Sequence, residues 1–164
     1  MKKVIVIGSP GAGKSTFARR LRDITGLALY HLDLIWHKED KTTVSKEEFD
    51  RRLLEILQTD GWIIDGNYQR TLEMRLKECD TVFLLDYPTR VCLEGAASRI
   101  GKKREDLPWI ESELDPEFEK YIRDFSKTKL PLLYEKLEGC NKAVYVFKSR
   151  AESDCFLDKF KDVN

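Results

Sequence analysis

The stretch VIVIGSPGAGKST, Val4 to Thr16, constrains this chain more than any other. Val4, Ile5, Val6 and Ile7 form an unbroken β-branched apolar run, the pattern of a strand buried on both faces of a parallel sheet. Gly8 to Ser15 then fits G-x-x-x-x-G-K-[ST], a loop whose backbone N–H groups cradle phosphate oxygens. Glycine is needed because the backbone must turn through positive φ and approach the anion closely. The pattern assigns Gly8, Ser9, Gly11, Ala12, Gly13, Lys14, Ser15 and Thr16 to nucleotide binding. Lys14 is a point charge for the β- and γ-phosphates, Ser15 offers a hydroxyl to Mg²⁺, and the following helix directs its positive end at the anion. Phe17, Leu21 and Ile24 give that helix an apolar face. A chance glycine-rich turn is the alternative, and the strand before and helix after weigh against it.

Length and charge narrow the remaining classes. A chain of 164 residues is the size of one domain, expected here over 1–164. Lysine plus arginine equals aspartate plus glutamate at 29 each, so no global basic field recruits nucleic acid and any DNA contact needs a local patch. Cys79, Cys92, Cys140 and Cys155 lack C-x-x-C spacing, which disfavours a zinc site and reads as reduced thiols. The apolar run after Met1-Lys2-Lys3 is too short for a signal segment, and no stretch reaches transmembrane length. The expectation is a cytoplasmic protein without a membrane partner, a monomer or a dimer.

Along the chain, helix one should end near Thr25 with Gly26 just beyond it, and Leu27 to Leu32 reads as a second strand ending at Asp33. That carboxylate either sits at the ligand edge of the sheet or caps a turn. Leu34 to Val44 shows no period, and its Trp36 and His37 either line a pocket or cover the core. His31 reads as a packing or hydrogen-bonding residue. Ser45 and Glu48 form a capping box before a helix faced by Phe49, Leu53, Ile56 and Leu57. Trp62-Ile63-Ile64 is a third strand ending at Asp65, where a carboxylate commonly holds Mg²⁺ through water. In Asp65-Gly66-Asn67-Tyr68-Gln69-Arg70-Thr71, Arg70 either reaches an anion or lies on the surface after a common turn, and Thr71 should cap a helix running to Glu78.

Thr81 to Leu85 is strand four, closed by Asp86, a secondary candidate for the metal shell that could equally cap the next helix. The helix expected from Thr89 to Ile100 carries Gly95, Ala96 and Ala97, which suit close packing. Arg99, Lys102, Lys103 and Arg104 follow, either a solvated face or cations for transferred charge, in a segment without a strong period. Asp115-Pro116 starts another helix, a further one ends at Gly139, Ala143 to Phe147 is the last strand, and Ser149 with Glu152 forms a second capping box.

With these elements in hand, the chain resembles the adenylate-kinase-like branch of phosphate-loop kinases. Asp65-Gly66-Asn67-Tyr68-Gln69-Arg70-Thr71 is similar to that group's Asp-Gly-Phe-Pro-Arg-Thr, with one extra residue and no proline, and Leu85-Asp86-Tyr87-Pro88 to its Leu-Asp-Val-Pro. GSPGAGKST, Tyr30-His31-Leu32-Asp33, Trp62 to Tyr68 and Lys148-Ser149-Arg150 together resemble the DNA topology modulation (FlaR-related) proteins. The resemblance implies a three-layer α/β P-loop NTPase fold, with a five-stranded parallel sheet in the order 2-3-1-4-5 and a helical lid near 101–130. It implies an ATP-dependent phosphotransferase using Mg²⁺, with Ser15 and Asp65 on the metal. Arg99 and Lys102 cover adenine and phosphates at the lid, Arg104 adds transition-state charge, and Arg150 lies where the adenine is held. Arg70 inherits a grip on an acceptor phosphate, and Asp33 orients or deprotonates an acceptor hydroxyl. The segment 33–60 is the expected acceptor-binding region, and it does not match the AMP-binding segment of adenylate kinases. The acceptor is a small molecule, a nucleoside or nucleotide among the candidates. The alternative is an ATP-binding regulatory protein acting on DNA topology or a protein partner.

Overall fold

A computed structural model describes residues 1–163, so Asn164, the end of the expected domain, lies outside it. Five parallel strands form one sheet: β1 (Lys3–Gly8), β2 (Leu29–His31), β3 (Trp62–Asp65), β4 (Thr81–Leu85) and β5 (Ala143–Phe147), in the order β2-β3-β1-β4-β5. The expected order 2-3-1-4-5 is therefore the observed one. β1 pairs Lys3 with Trp62 on one side and Val4 with Thr81 on the other.

The β-branched run sits where its composition requires. Val4, Ile5, Val6 and Ile7 are all fully buried, and alternation sends their side chains to opposite faces. Ile5 and Ile7 join a core with Phe49 and Leu53 of α3 (Lys46–Leu57), Leu72 of α4 (Leu72–Glu78) and Leu133 of α7 (Leu130–Leu137). Val4 and Val6 join Phe17 and Leu21 of α1 (Lys14–Thr25), Cys92 and Ala96 of α5 (Thr89–Ser98) and Leu157 of α8 (Arg150–Val163). Helices thus cover both faces, giving three layers. Each fully buried Val or Ile contributes roughly 1.5–3 kcal/mol through area removed from water. α6 (Pro116–Thr128) sends Phe125 to the first core and Ile122 to the second.

Local signals mostly act as their chemistry dictates. Gly26 takes φ 71° and donates its N–H to Arg22 O, closing α1. The Asp115 side chain accepts from Glu117 N, with Pro116 opening α6. Ser45 accepts from Glu48 N at 3.1 Å, but the Glu48 carboxylate takes Arg51 and Arg52, so only half of the expected box forms. Thr71 does not cap α4; its hydroxyl donates to Tyr68 O.

Two further differences matter for the site. β2 is shorter than the Leu27–Leu32 apolar run, and the chain passes directly into a short helix, α2 (Leu32–Trp36). Asp33 therefore lies in the first turn of a helix, not at the strand's end, because one helical turn is too short to register as a period. α5 stops at Ser98, and tighter turns carry Arg99 and Ile100, whose N–H groups bond Ala96 O and Ala97 O. All four cysteines are free thiols. No helix among the described residues is long and apolar enough to cross a membrane.

Candidate active site

The phosphate loop leaves β1 at Gly8 and enters α1 at Lys14, with positive φ at Gly8, Gly11 and Gly13. Two of these glycines are also required sterically. A Cβ on Gly8 would lie 2.2 Å from Leu85 O, and one on Gly11 would lie 2.0 Å from Cys92 O. The loop is thus pressed against β4 and α5. Gly95 completes the contact from α5, since a Cβ there would meet Gly11 O at 2.0 Å.

Opposite the loop, the turn after β3 supplies Asn67 and Tyr68, and α4 behind it supplies Arg75. Asn67 brackets Gly8, accepting from its N–H at 3.0 Å and donating to its carbonyl at 2.8 Å. Tyr68 donates its hydroxyl to Asp33 Oδ1 at 2.6 Å. Arg75, fully buried on α4, donates to the carbonyls of Gly66, Asn67 and Tyr68. Burial lowers its pKa to about 10. Its Nε is buried without a partner, and no carboxylate hydrogen-bonds it, so its guanidinium serves as a backbone clamp.

A cleft of about 850 Å³ opens between the loop, α2, the Gly66–Tyr68 turn and the segment after α5. Lys14, Ser15, Asp33, Asp65, Arg99 and Arg104 all line it. Lys14 Nζ donates to Gly8 O and Ser9 O at 3.1 Å each. Burial pushes the Lys14 pKa down, opposed chiefly by Asp65. Burial likewise raises the Asp33 pKa, while the Tyr68 hydrogen bond holds it back. Burial, and then the Asp33 carboxylate, raise the Tyr68 phenol, which stays protonated and donating.

Ser15 Oγ lies 2.7 Å from Asp65 Oδ2 and 2.9 Å from Asp106 Oδ2. Its single hydroxyl proton serves one carboxylate at a time. Asp65 Oδ2 also meets His31 Nδ1 at 2.7 Å, so the buried histidine is a hydrogen-bonding residue, as its strand position suggested. No cage of three or more His, Cys, Asp or Glu ligands occurs among the described residues. A hydroxyl beside two carboxylates nevertheless fits Mg²⁺, which takes one or two carboxylates and completes its shell with phosphate oxygens and water.

Across the cleft, Arg104 forks onto Asp106 and also donates to Glu111 at 2.9 Å. Burial opposes both charges, yet the pairing raises the Arg104 pKa and lowers that of Asp106. Arg99 is different: burial lowers its pKa, and its Nε is buried without a partner. It also borders an adjoining pocket of about 340 Å³ with Arg150, Ala12, Tyr87 and Ser98.

Several sequence candidates lie elsewhere. Arg70 is turned outward and forks onto Asp50 with contacts of 2.9 and 2.7 Å; it does not line the cleft. Tyr68 takes φ 36° just before the Gln69–Thr71 turn that carries Arg70, and Asp50 of α3 captures the guanidinium there. Lys102 is exposed and lines neither pocket, whereas Lys103 does. Asp86 is taken by Lys148 and by Tyr134 Oη at 2.6 Å, away from Ser15. Ser9 is buried within the loop, and Thr16 lines both pockets. Sequence reasoning missed Asp106, Asn67, Tyr68 and Arg75. Asn67 and Tyr68 lay inside a motif already singled out, but Asp106 was hidden in a charge run and Arg75 looked like any helix-surface arginine.

No family model matches the chain. Adenylate kinases of Thermotoga petrophila and Thermotoga maritima are each 32% identical over 94 residues, 56% of this chain and 42% of theirs. That of Thermosipho melanesiensis is 30% identical over 103 residues, 61% of this chain and 47% of its own. The chain matches less than half the length of these relatives. Among solved structures, shikimate kinase from Acinetobacter baumannii in complex with shikimate superposes with a TM-score of 0.63 at 18% identity, covering 99% of this chain and 93% of that one. Shikimate kinase from Bacteroides thetaiotaomicron gives 0.59 at 15%, covering 98% and 96%. An unliganded sugar kinase from Janibacter sp. HTCC2649 gives 0.52 at 16%, covering 97% and 91%. At these identities the likeness is one of fold: the chain has the three-layer P-loop fold of small-molecule kinases, with a helical lid.

Proposed function

We propose that the protein is an ATP-dependent phosphotransferase that moves the γ-phosphoryl group of Mg·ATP to a hydroxyl of a small molecule. The reading treats 1–164 as one kinase domain, with 33–60 contributing the acceptor site and 101–130 the lid. One observation carries it: the phosphate loop with Lys14 and Ser15, the carboxylate Asp65 and the Tyr68-held Asp33 all face a single cleft. The distant kinase structures of similar fold support it.

In this reading the loop N–H groups and Lys14 hold the phosphates, releasing Lys14 from its two carbonyl contacts. Ser15 and Asp65 would hold Mg²⁺ when it is bound, and it would supply positive charge against the phosphates during transfer. Arg99 and Arg104 add lid cations, and Arg99 with Arg150 borders the base pocket. Asp33 receives the acceptor's hydroxyl proton as the oxygen–phosphorus bond forms and the bond to the bridging oxygen of ADP breaks. Positioning and electrostatics suffice for such a transfer, without a covalent nucleophile.

The test is acceptor-stimulated ADP release, screened over nucleosides, nucleotides, sugars and small acids. Lys14→Ala should abolish turnover and weaken ATP binding in calorimetry. Asp33→Asn should spare ATP binding and cut acceptor-dependent turnover roughly 10²–10⁴-fold. Unchanged phosphorylation in Asp33→Asn would remove the acceptor site from this reading. The DNA-topology alternative predicts instead a flat screen and duplex binding that falls steeply with salt.

A further inference from the structure

The segment after α5 hides a charge and leaves its apolar residues outside. From Gly101 to Trp109 every position is exposed or half-buried except Asp106, whose side chain is 4% exposed. Leu107 and Ile110 beside it stay nearer the solvent. Desolvating a carboxylate is costly unless its charge is matched, so burying the aspartate rather than the leucine needs a partner inside the cleft.

The segment is built to hold that carboxylate in place. Gly101 donates its N–H to Glu111 O at 2.7 Å, which closes a loop over 101–111. Inside it, Arg104 donates Nε to Asp106 Oδ1 at 3.0 Å and Nη1 to Glu111 at 2.9 Å. Asp106 Oδ2 then reaches Ser15 Oγ at 2.9 Å, across 91 positions of sequence. Asp65 Oδ2 reaches the same oxygen at 2.7 Å and is itself met by His31 Nδ1 at 2.7 Å. Two carboxylates, 6% and 4% exposed, thus converge on a hydroxyl that owns one proton. One of the two contacts is always oxygen against oxygen with no hydrogen between them. A cation among the three oxygens would relieve it, and Mg²⁺ accepts one or two carboxylates while keeping positions for phosphate oxygens and water. Ligating carboxylates are steadied by further hydrogen bonds, the part that His31 and Arg104 play here.

We propose that Asp106 is the second carboxylate ligand of the Mg²⁺ that Ser15 and Asp65 hold, delivered to the metal by the loop 101–111. This rests on the kinase reading and deepens it. One ligand of the metal comes from the end of β3 and another from the lid, so seating the metal and docking the loop are one event.

The experiment uses the full chain and an ATP analogue with a non-hydrolysable imido bridge between its β- and γ-phosphorus atoms, without acceptor, so that binding is read and turnover is not. Calorimetry is run once with excess Mg²⁺ and once in EDTA. Asp106→Asn should bind the analogue roughly tenfold or more weakly with Mg²⁺, yet as tightly as the unaltered chain or more tightly in EDTA, where the phosphates no longer face that charge. An equal loss in both conditions would make Asp106 a packing contact of the lid, and a gain in both would make it a plug on the phosphate site. Either overturns the proposal, as does a smaller loss with Mg²⁺. Glu105→Gln removes the neighbouring charge and should leave both affinities within about twofold, whereas a loss matching that of Asp106→Asn would reduce the effect to bulk charge and overturn the proposal too.

Asp106→Asn also frees Arg104, so a measurement on the unaltered chain accompanies it. With the analogue bound, Mn²⁺ in place of Mg²⁺, added below the protein concentration, should broaden the carboxyl-carbon NMR signals of Asp65 and Asp106 together, ahead of that of Asp115 on the same cleft. A sharp Asp106 signal beside a broadened Asp65 overturns the proposal and leaves the kinase reading standing. Both signals staying sharp overturns it together with the metal site of that reading.

Discussion

Tyr68 donates to Asp33 while its own backbone sits at φ 36°, a left-handed conformation that costs a non-glycine residue about 1–2 kcal/mol. Arg75 offsets that cost by holding three successive carbonyls of the turn. The pair of contacts sets the proton affinity of the proposed base. Burial raises the Asp33 pKa above the ordinary 3.8 and the Tyr68 hydroxyl lowers it again, so Tyr68→Phe should raise it further. Only ionised Asp33 can take a proton, so activity is present above its pKa and lost as pH falls through it. The acid limb of kcat/KM for the acceptor should therefore move to higher pH in Tyr68→Phe, and a limb that stays in place would remove Tyr68 from this role. At this scale the sequence was readable where spacing encodes chemistry, as at Lys14 and Ser15. It was unreadable where three-dimensional pairing decides, because nothing local tells that Arg70 leaves the cleft for Asp50 or that Arg75 goes inside.

Helix α5 acts as a wall behind the phosphate loop. Its Gly95 and the loop's Gly11 approach so closely that a methyl group on either would overlap backbone of the other element. Gly95→Ala should therefore displace the loop, weakening ATP binding about tenfold or more in calorimetry and lowering stability by about 1–3 kcal/mol. Unaltered ATP affinity would mean that the loop adjusts without loss. The run Gly95-Ala96-Ala97 announced this close packing in the sequence, just as the burial of Val4 to Ile7 on both faces of the sheet followed from an unbroken β-branched run. Helix α2 gave no such signal: five residues make too little of a pattern, and its placement depends on Leu32 reaching the core.

Across the whole molecule, ligand binding and folding are linked. If the cleft holds Mg·ATP, a concentration of about 100 times Kd stabilises the native state by about 2.7 kcal/mol. For a chain of this length that corresponds to a rise in Tm of roughly 5–11 °C. Lys14→Ala should lose most of that rise in a thermal melt, and an equal rise in both proteins would place ATP elsewhere. The central position of β1 has another consequence, for synthesis. Lys3 pairs with Trp62, Val4 with Thr81, and Ser9 N donates to Leu85 O at 3.0 Å, so the first strand finds both neighbours only after long loops close. The loop that defines the site leaves the ribosome before β4 and stays unfinished until β4 follows it. A nascent chain halted before Leu85 carries the entire glycine-rich motif without the β4 backbone that Gly8 and Ser9 lean on.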